Sequence, residues 1–158
     1  MIDRRHLGRR YGPFRYTVGL EEVRDFAVAV AGGVPGRVFP RAPPAPPHPW
    51  FVDEEAAKAS PAGGVVAPPT FCARFAIQPF ALACTDPELG IDLVKLLHGE
   101  QAFEYGDPVR PGDVIETVGE IAEIRERAGM DFLTVKTTST NQRGRVVVVG
   151  TWKAVVRP

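Results

Sequence analysis

The chain has 158 residues, 44% of them hydrophobic, which suits one domain with a substantial core. Nineteen basic residues balance nineteen acidic ones, so no net field draws the chain to nucleic acid or to an anionic membrane. No apolar run approaches the ~20 residues of a membrane helix and no apolar signal segment opens the chain, so a cytoplasmic protein without a membrane partner is expected.

The run Arg4-Arg5-His6-Leu7-Gly8-Arg9-Arg10 reads as part of a solvated basic arm over residues 1–15. Leu20, Val23, Phe26, Ala27 and Val30 then fall at helical spacing, with Glu21 and Glu22 in the first turn, where acids suit the helix dipole. This predicts an amphipathic helix over 20–31, stopped by Gly32-Gly33. Pro40, Pro43, Pro44, Pro46, Pro47 and Pro49 follow within ten residues, a stiff loop over 40–49 that Trp50 and Phe51 pin to the body. Asp53 is placed to cap a short helix ending at Ala59, before Ser60-Pro61-Ala62-Gly63-Gly64.

Val65 to Gln78 is apolar on nearly every face, with Arg74 its only charge, as in a buried helix. Pro68, Pro69 and Thr70 suit its start and Pro79 should end or kink it. Free N–H groups at such a start could bind a carbonyl or an anion, although two prolines remove two donors. Cys72 and Cys84 lack the spacing of metal ligands and read as buried free thiols, so no metal is expected.

The second half reads as strands. They are expected over 93–105, 114–127, 132–140 and 146–156, joined by short turns and therefore antiparallel. Arg110-Pro111-Gly112-Asp113 suits a type II turn, and Gly119 is read as a bulge. The consecutive valines 146–149 suggest a strand covered on both faces. With no internal repeat, residues 16–158 are expected to form one domain.

His98 and Glu100 are the first candidates for catalysis. Two residues apart on a regular strand, they would point to one face and could cooperate as acid and base. The alternative is a histidine satisfied at a strand entry, with Glu100 and Gln101 fixing a loop or a subunit contact. Phe71, Phe75 and Phe80 are either core or the apolar wall of a ligand pocket.

Three pieces of the chain resemble the N-terminal half of MaoC-like dehydratases. They are Asp25-Phe26-Ala27-Val28-Ala29-Val30-Ala31-Gly32, then Ala67-Pro68-Pro69-Thr70-Phe71, then Leu97-His98-Gly99-Glu100-Gln101-Ala102-Phe103-Glu104-Tyr105 with Arg110-Pro111-Gly112-Asp113 after it. The resemblance is closest to the accessory subunit of heterodimeric (3R)-hydroxyacyl-thioester dehydratases. It implies an α+β hot-dog fold, a long antiparallel sheet wrapped around a central helix at about residues 70–83. It implies reversible loss of water from a 3-hydroxyacyl thioester carried on CoA or acyl-carrier protein, with no other cofactor. Thr70, Phe71, Phe75, Phe80, His98 and Gln101 are then the expected substrate-binding residues.

Catalytic members of that family carry Asp-x-Asn-x-x-His soon after the first helix. Here the corresponding stretch, Gly32-Gly33-Val34-Pro35-Gly36-Arg37-Val38-Phe39, has no Asp, Asn or His. The resemblance therefore implies an acyl-binding chain that is a homodimer alone and a heterodimer with a catalytic chain. A hot-dog thioesterase using Glu100 or Asp53, or a non-enzymatic acyl-thioester binding module, are the alternatives.

Overall fold

The computed structural model describes residues 2–31 and 46–158. The predicted glycine stop at 32–33, the prolines 40–44 and the 32–39 stretch lie outside the described residues. The chain forms two compact units. One comprises Met1–Tyr16, Ala73–Asp107 and Ile115–Pro158, the other Thr17–Cys72 and Pro108–Val114.

The first unit is an antiparallel sheet carrying a helix. Its strands are β1 (Arg10–Thr17), β2 (Leu96–Tyr105), β3 (Val114–Arg127), β4 (Met130–Thr140) and β5 (Val146–Val156), in the order β1-β3-β4-β5-β2. β3 and β4 are joined by a two-residue turn in which Ala128 and Gly129 both take left-handed dihedrals, φ 54° and 77°. That mirror-image turn matches the twist of the paired strands. The valines of β5 behave in part as expected: Val147 and Val148 are both buried, while Val146 is 41% exposed.

The segment expected as a solvated arm is built into this unit, which corrects the sequence reading. Arg4–His6 is a 3-10 turn, Arg10–Thr17 is a strand bonded beside β3, and Ile2, His6 and Tyr11 are buried. The positive charge is met locally: Arg9 reaches Asp86 at 3.1 Å and Glu88 at 2.6 Å, and the Tyr11 hydroxyl donates to Asp86 at 2.8 Å.

The predicted central helix is in three pieces rather than one. Pro69–Cys72 is a 3-10 turn of the second unit; α4 (Ala73–Ala76) and α5 (Gln78–Thr85) follow in the first. The break falls at Ile77, because Pro79 lacks an N–H and its fixed φ suits the first turn of a new helix. Phe75, Ala76, Phe80, Ala83 and Cys84 are buried, whereas Arg74 is exposed and donates to the Tyr16 hydroxyl, and Leu82 is 46% exposed.

Gly119 is where helix and sheet meet most closely. A Cβ there would lie 2.3 Å from Cβ of Pro79 and 3.0 Å from its Cγ. The residue is not the bulge it was read as: it pairs in register with Thr137, and the irregularity in β3 falls between Ile121 and Glu123. Its missing side chain lets α5 seat on β3.

In the second unit, α1 (Leu20–Val30) buries Val23 and Ala27, and Glu22 accepts the Gly19 N–H at 3.3 Å. α2 (Pro49–Val52) carries Trp50, which remains 39% exposed beside His48, so it is a weaker anchor than expected. α3 (Glu54–Lys58) is capped as predicted, with Asp53 accepting from Glu55 and Ala56. The turn Arg110–Asp113 has Gly112 at φ 86° and the Asp113 N–H on the Arg110 carbonyl, as type II geometry requires. Among the described residues no helix is long and apolar enough to cross a membrane.

Candidate functional site

The inner side of β2 and β5 holds an aromatic cluster. Trp152 is fully buried, and its indole N–H donates to the Thr137 hydroxyl at 3.0 Å. Phe80 of α5 stacks on it at 5.8 Å and 18°, and Phe103 meets it edge-on at 5.3 Å. The His98 ring lies 5.2 Å from Phe80 and 5.8 Å from Trp152. Such offset and edge-on pairs hold their geometry beyond what burial alone would do. Gly150 permits this arrangement, since a Cβ there would lie 2.6 Å from the Thr137 hydroxyl and 2.7 Å from the indole nitrogen.

His98 and Glu100 do not share a face. The β2–β5 register pairs His98 with Ala154 and Glu100 with Lys153, so Gly99 is an extra residue on β2. One inserted residue flips everything beyond it to the other side. His98, opposite buried Ala154, belongs to the inner face. Glu100 belongs to the outer face, where its carboxylate accepts from Lys153 Nζ at 2.7 Å. Sequence spacing could not supply this, because a strand of unknown register looks regular.

The same insertion brings together two residues that spacing alone would separate. Gln101 pairs with Trp152 and Phe103 with Gly150, which places Gln101 on the face of His98, Phe103 and Phe80. Phe75 is buried beside Tyr16 at 5.7 Å, in the core of this unit. Trp152 and Phe103 were missed as candidates. Only pairing across β5 assigns them to the histidine's face.

Thr70 and Phe71 belong to the other unit. Phe71 is fully buried, edge-on to Phe26 at 5.4 Å, and its N–H is spent on the Pro68 carbonyl at 2.9 Å. Thr70 is exposed on a 3-10 turn of four residues. At the helix start foreseen as a carbonyl binder, one of the donors, the Phe71 N–H, is thus already used within the turn.

Among the described residues His98 is met by the Phe80 and Trp152 rings and makes no hydrogen bond. The carboxylates considered for thioester cleavage are both engaged, Glu100 by Lys153 and Asp53 by the N–H groups it caps. Burial pushes the Cys84 thiol up to about 11, which keeps it protonated and unreactive near neutral pH. No cluster of metal-ligating side chains occurs among the described residues.

The family model for the FAS1-like dehydratase domain region matches residues 5–149. The chain belongs to that family. A relative named UPF0336 protein from Saccharopolyspora erythraea is 35% identical over 157 residues, 99% of this chain and 92% of that protein. The chain also superimposes on the HadBC (3R)-hydroxyacyl-ACP dehydratase complex of Mycobacterium tuberculosis with a TM-score of 0.74 at 26% identity, covering 95% of this chain and 96% of that one. A MaoC-like dehydratase gives a TM-score of 0.76 at 30% identity over 96% of this chain and 42% of that longer one. The fold is thus the α+β hot dog of MaoC-like dehydratases, as the sequence resemblance implied.

Proposed function

We propose that the chain is the accessory, acyl-binding subunit of a (3R)-hydroxyacyl-thioester dehydratase. It presents an apolar surface to the acyl chain and leaves proton transfer to a partner chain bearing Asp-x-Asn-x-x-His. The observation that carries this reading is the split of the candidate acid–base pair His98 and Glu100. His98 lies among aromatic rings with no carboxylate to orient it, while Glu100 is turned outward onto Lys153.

In this reading Phe80, His98, Gln101 and Phe103 border the acyl path, and Phe75 supports it from the core of the same unit. The carrier is CoA or acyl-carrier protein, no further cofactor is needed, and the chain works in the cytoplasm. It forms a homodimer when alone, standing in for the heterodimer. The exposed edge strand β2, intermediate or exposed at all ten positions, supports pairing with another chain.

Hydration of an enoyl-CoA, followed by loss of absorbance at the conjugated thioester, tests the proposal. The chain alone should show no turnover, and mixing it with a catalytic MaoC-like chain should restore activity and alter chain-length preference. Robust turnover by the isolated chain, abolished by His98→Ala, would remove the accessory role.

A further inference from the structure

Arg110 is built into the second unit with more hydrogen-bonding capacity than that unit uses. Its backbone is fixed twice: the N–H donates to Asp113 Oδ2 at 2.8 Å, and the carbonyl accepts from the Asp113 N–H. Its guanidinium, on a half-buried residue, donates through Nη2 to the Ala62 carbonyl at 2.5 Å. A guanidinium has five N–H donors, and among the described residues this one has no carboxylate partner. It is held in place with one donor committed.

Arg110 lines a recess of about 370 Å³, within the range of small-molecule sites. Leu20, Val65 and Pro111 supply apolar wall, and Gly63-Gly64 supplies bare backbone. Gly63 sits at φ 68° with nothing within 4 Å of where a Cβ would be, and a Cβ on Gly64 would lie 3.6 Å from Arg110 Nη1. Lys58 adds a second cation; among the described residues it pairs with Glu55, and both side chains are largely exposed at 62% and 84%. Such a pair is weak enough to exchange for a ligand. The acid in the recess, Glu54, is already matched by Arg24 at 3.2 Å, which also holds Glu21.

We infer that this recess is an anion site for the phosphate ester of a pantetheine-type thioester carrier, an inference that rests on the dehydratase reading above. A preset guanidinium offers a phosphate two parallel charge-assisted bonds. The apolar wall suits the aliphatic part of the arm, and Lys58, which also lines the recess, adds positive charge. The phosphate ester is common to CoA and to the prosthetic arm of acyl-carrier protein.

Calorimetric titration of the purified full-length chain with 4′-phosphopantetheine, CoA, pantetheine and inorganic phosphate tests it without any turnover. Phosphopantetheine and CoA should bind, and pantetheine should bind about tenfold or more weakly, the worth of a hydrogen bond to a charged group. Arg110→Gln and Lys58→Glu should each weaken the phosphorylated probes by a similar factor and leave pantetheine unchanged. Arg110→Gln also frees the Ala62 carbonyl; Lys58 is exposed, so Lys58→Glu reads the site without a folding defect. Equal binding of pantetheine, no effect of either variant, or absence of binding by both phosphorylated probes would overturn the site. Inorganic phosphate binding as tightly as phosphopantetheine would overturn the carrier assignment. Phosphate-dependent binding together with failed hydration in the reconstituted complex would remove the dehydratase reading and leave the anion site standing.

Discussion

Placing a methyl group at Gly119 tests how the sheet positions its helix. In Gly119→Ala the new Cβ would start 2.3 Å from Pro79 Cβ, where ordinary contact begins near 3.4 Å. Neither side can yield cheaply. Gly119 is paired to Thr137 inside the sheet, and the pyrrolidine ring of Pro79 has no rotamer to escape into. Relief must come from moving α5, which carries Phe80 off Trp152. Overpacking of this kind costs 1–3 kcal/mol, and the rigid partners place it at about 3 kcal/mol. For a chain of this size that is a fall in Tm of roughly 6–12 °C. Urea denaturation followed by Trp fluorescence measures it, and buried Trp152 should shift its emission to the red as α5 lifts. Pro79→Gly removes the clashing atoms, so Gly119→Ala should cost at least about 1 kcal/mol less in that background. A Gly119→Ala variant within about 0.5 kcal/mol of the parent protein, or equal costs in both backgrounds, would refute the reasoning.

Thr137→Val should orphan the buried Trp152 indole N–H and cost about 1–3 kcal/mol in urea denaturation, with Thr137→Ser recovering most of it. Ala128 holds a left-handed conformation that an L-residue with a Cβ dislikes, so Ala128→Asn or Ala128→Gly should raise stability by about 0.5–1 kcal/mol by thermal melting. Burial raises the Asp86 pKa, but the Tyr11 hydroxyl, the Glu88 N–H and the Arg9 charge together hold it below the ordinary 3.8. A depressed carboxyl stabilises the fold above its unfolded pKa and loses that contribution as pH falls through the folded value. Unfolding free energy should therefore decline below about pH 4, and Asp86→Asn should flatten that decline while costing about 2 kcal/mol at neutral pH.

The contrast between His98 and Gly119 shows where sequence reading stops. The periods of β3 and β5 were legible, and their observed limits, Val114–Arg127 and Val146–Val156, match the predicted ones. Those strands are long, and turn-forming residues bound them. The β2 start was placed three residues early, because Asp92–Lys95 turns on itself through the Asp92 carboxylate and carbonyl. The arm over 1–15 was misjudged because its arginines masked a segment whose buried members, Ile2, His6 and Tyr11, are few and widely spaced, only Tyr11 lying in β1 itself.

By itself the sequence determined the strand periods, the type II turn at Arg110–Asp113, the cap at Asp53 and the helix break before Pro79. Each follows from residues within a few positions of one another. It also carried the family, through motifs whose order survives without any contact being known. The tertiary structure alone decided which faces the candidate residues occupy. Whether His98 and Glu100 cooperate depends on one extra residue at Gly99, and that residue is extra only relative to β5, some fifty positions away in the chain. Whether Gly119 is a bulge or a seat for a helix depends on Pro79. Both are matters of register and close approach between distant segments, which no local pattern encodes.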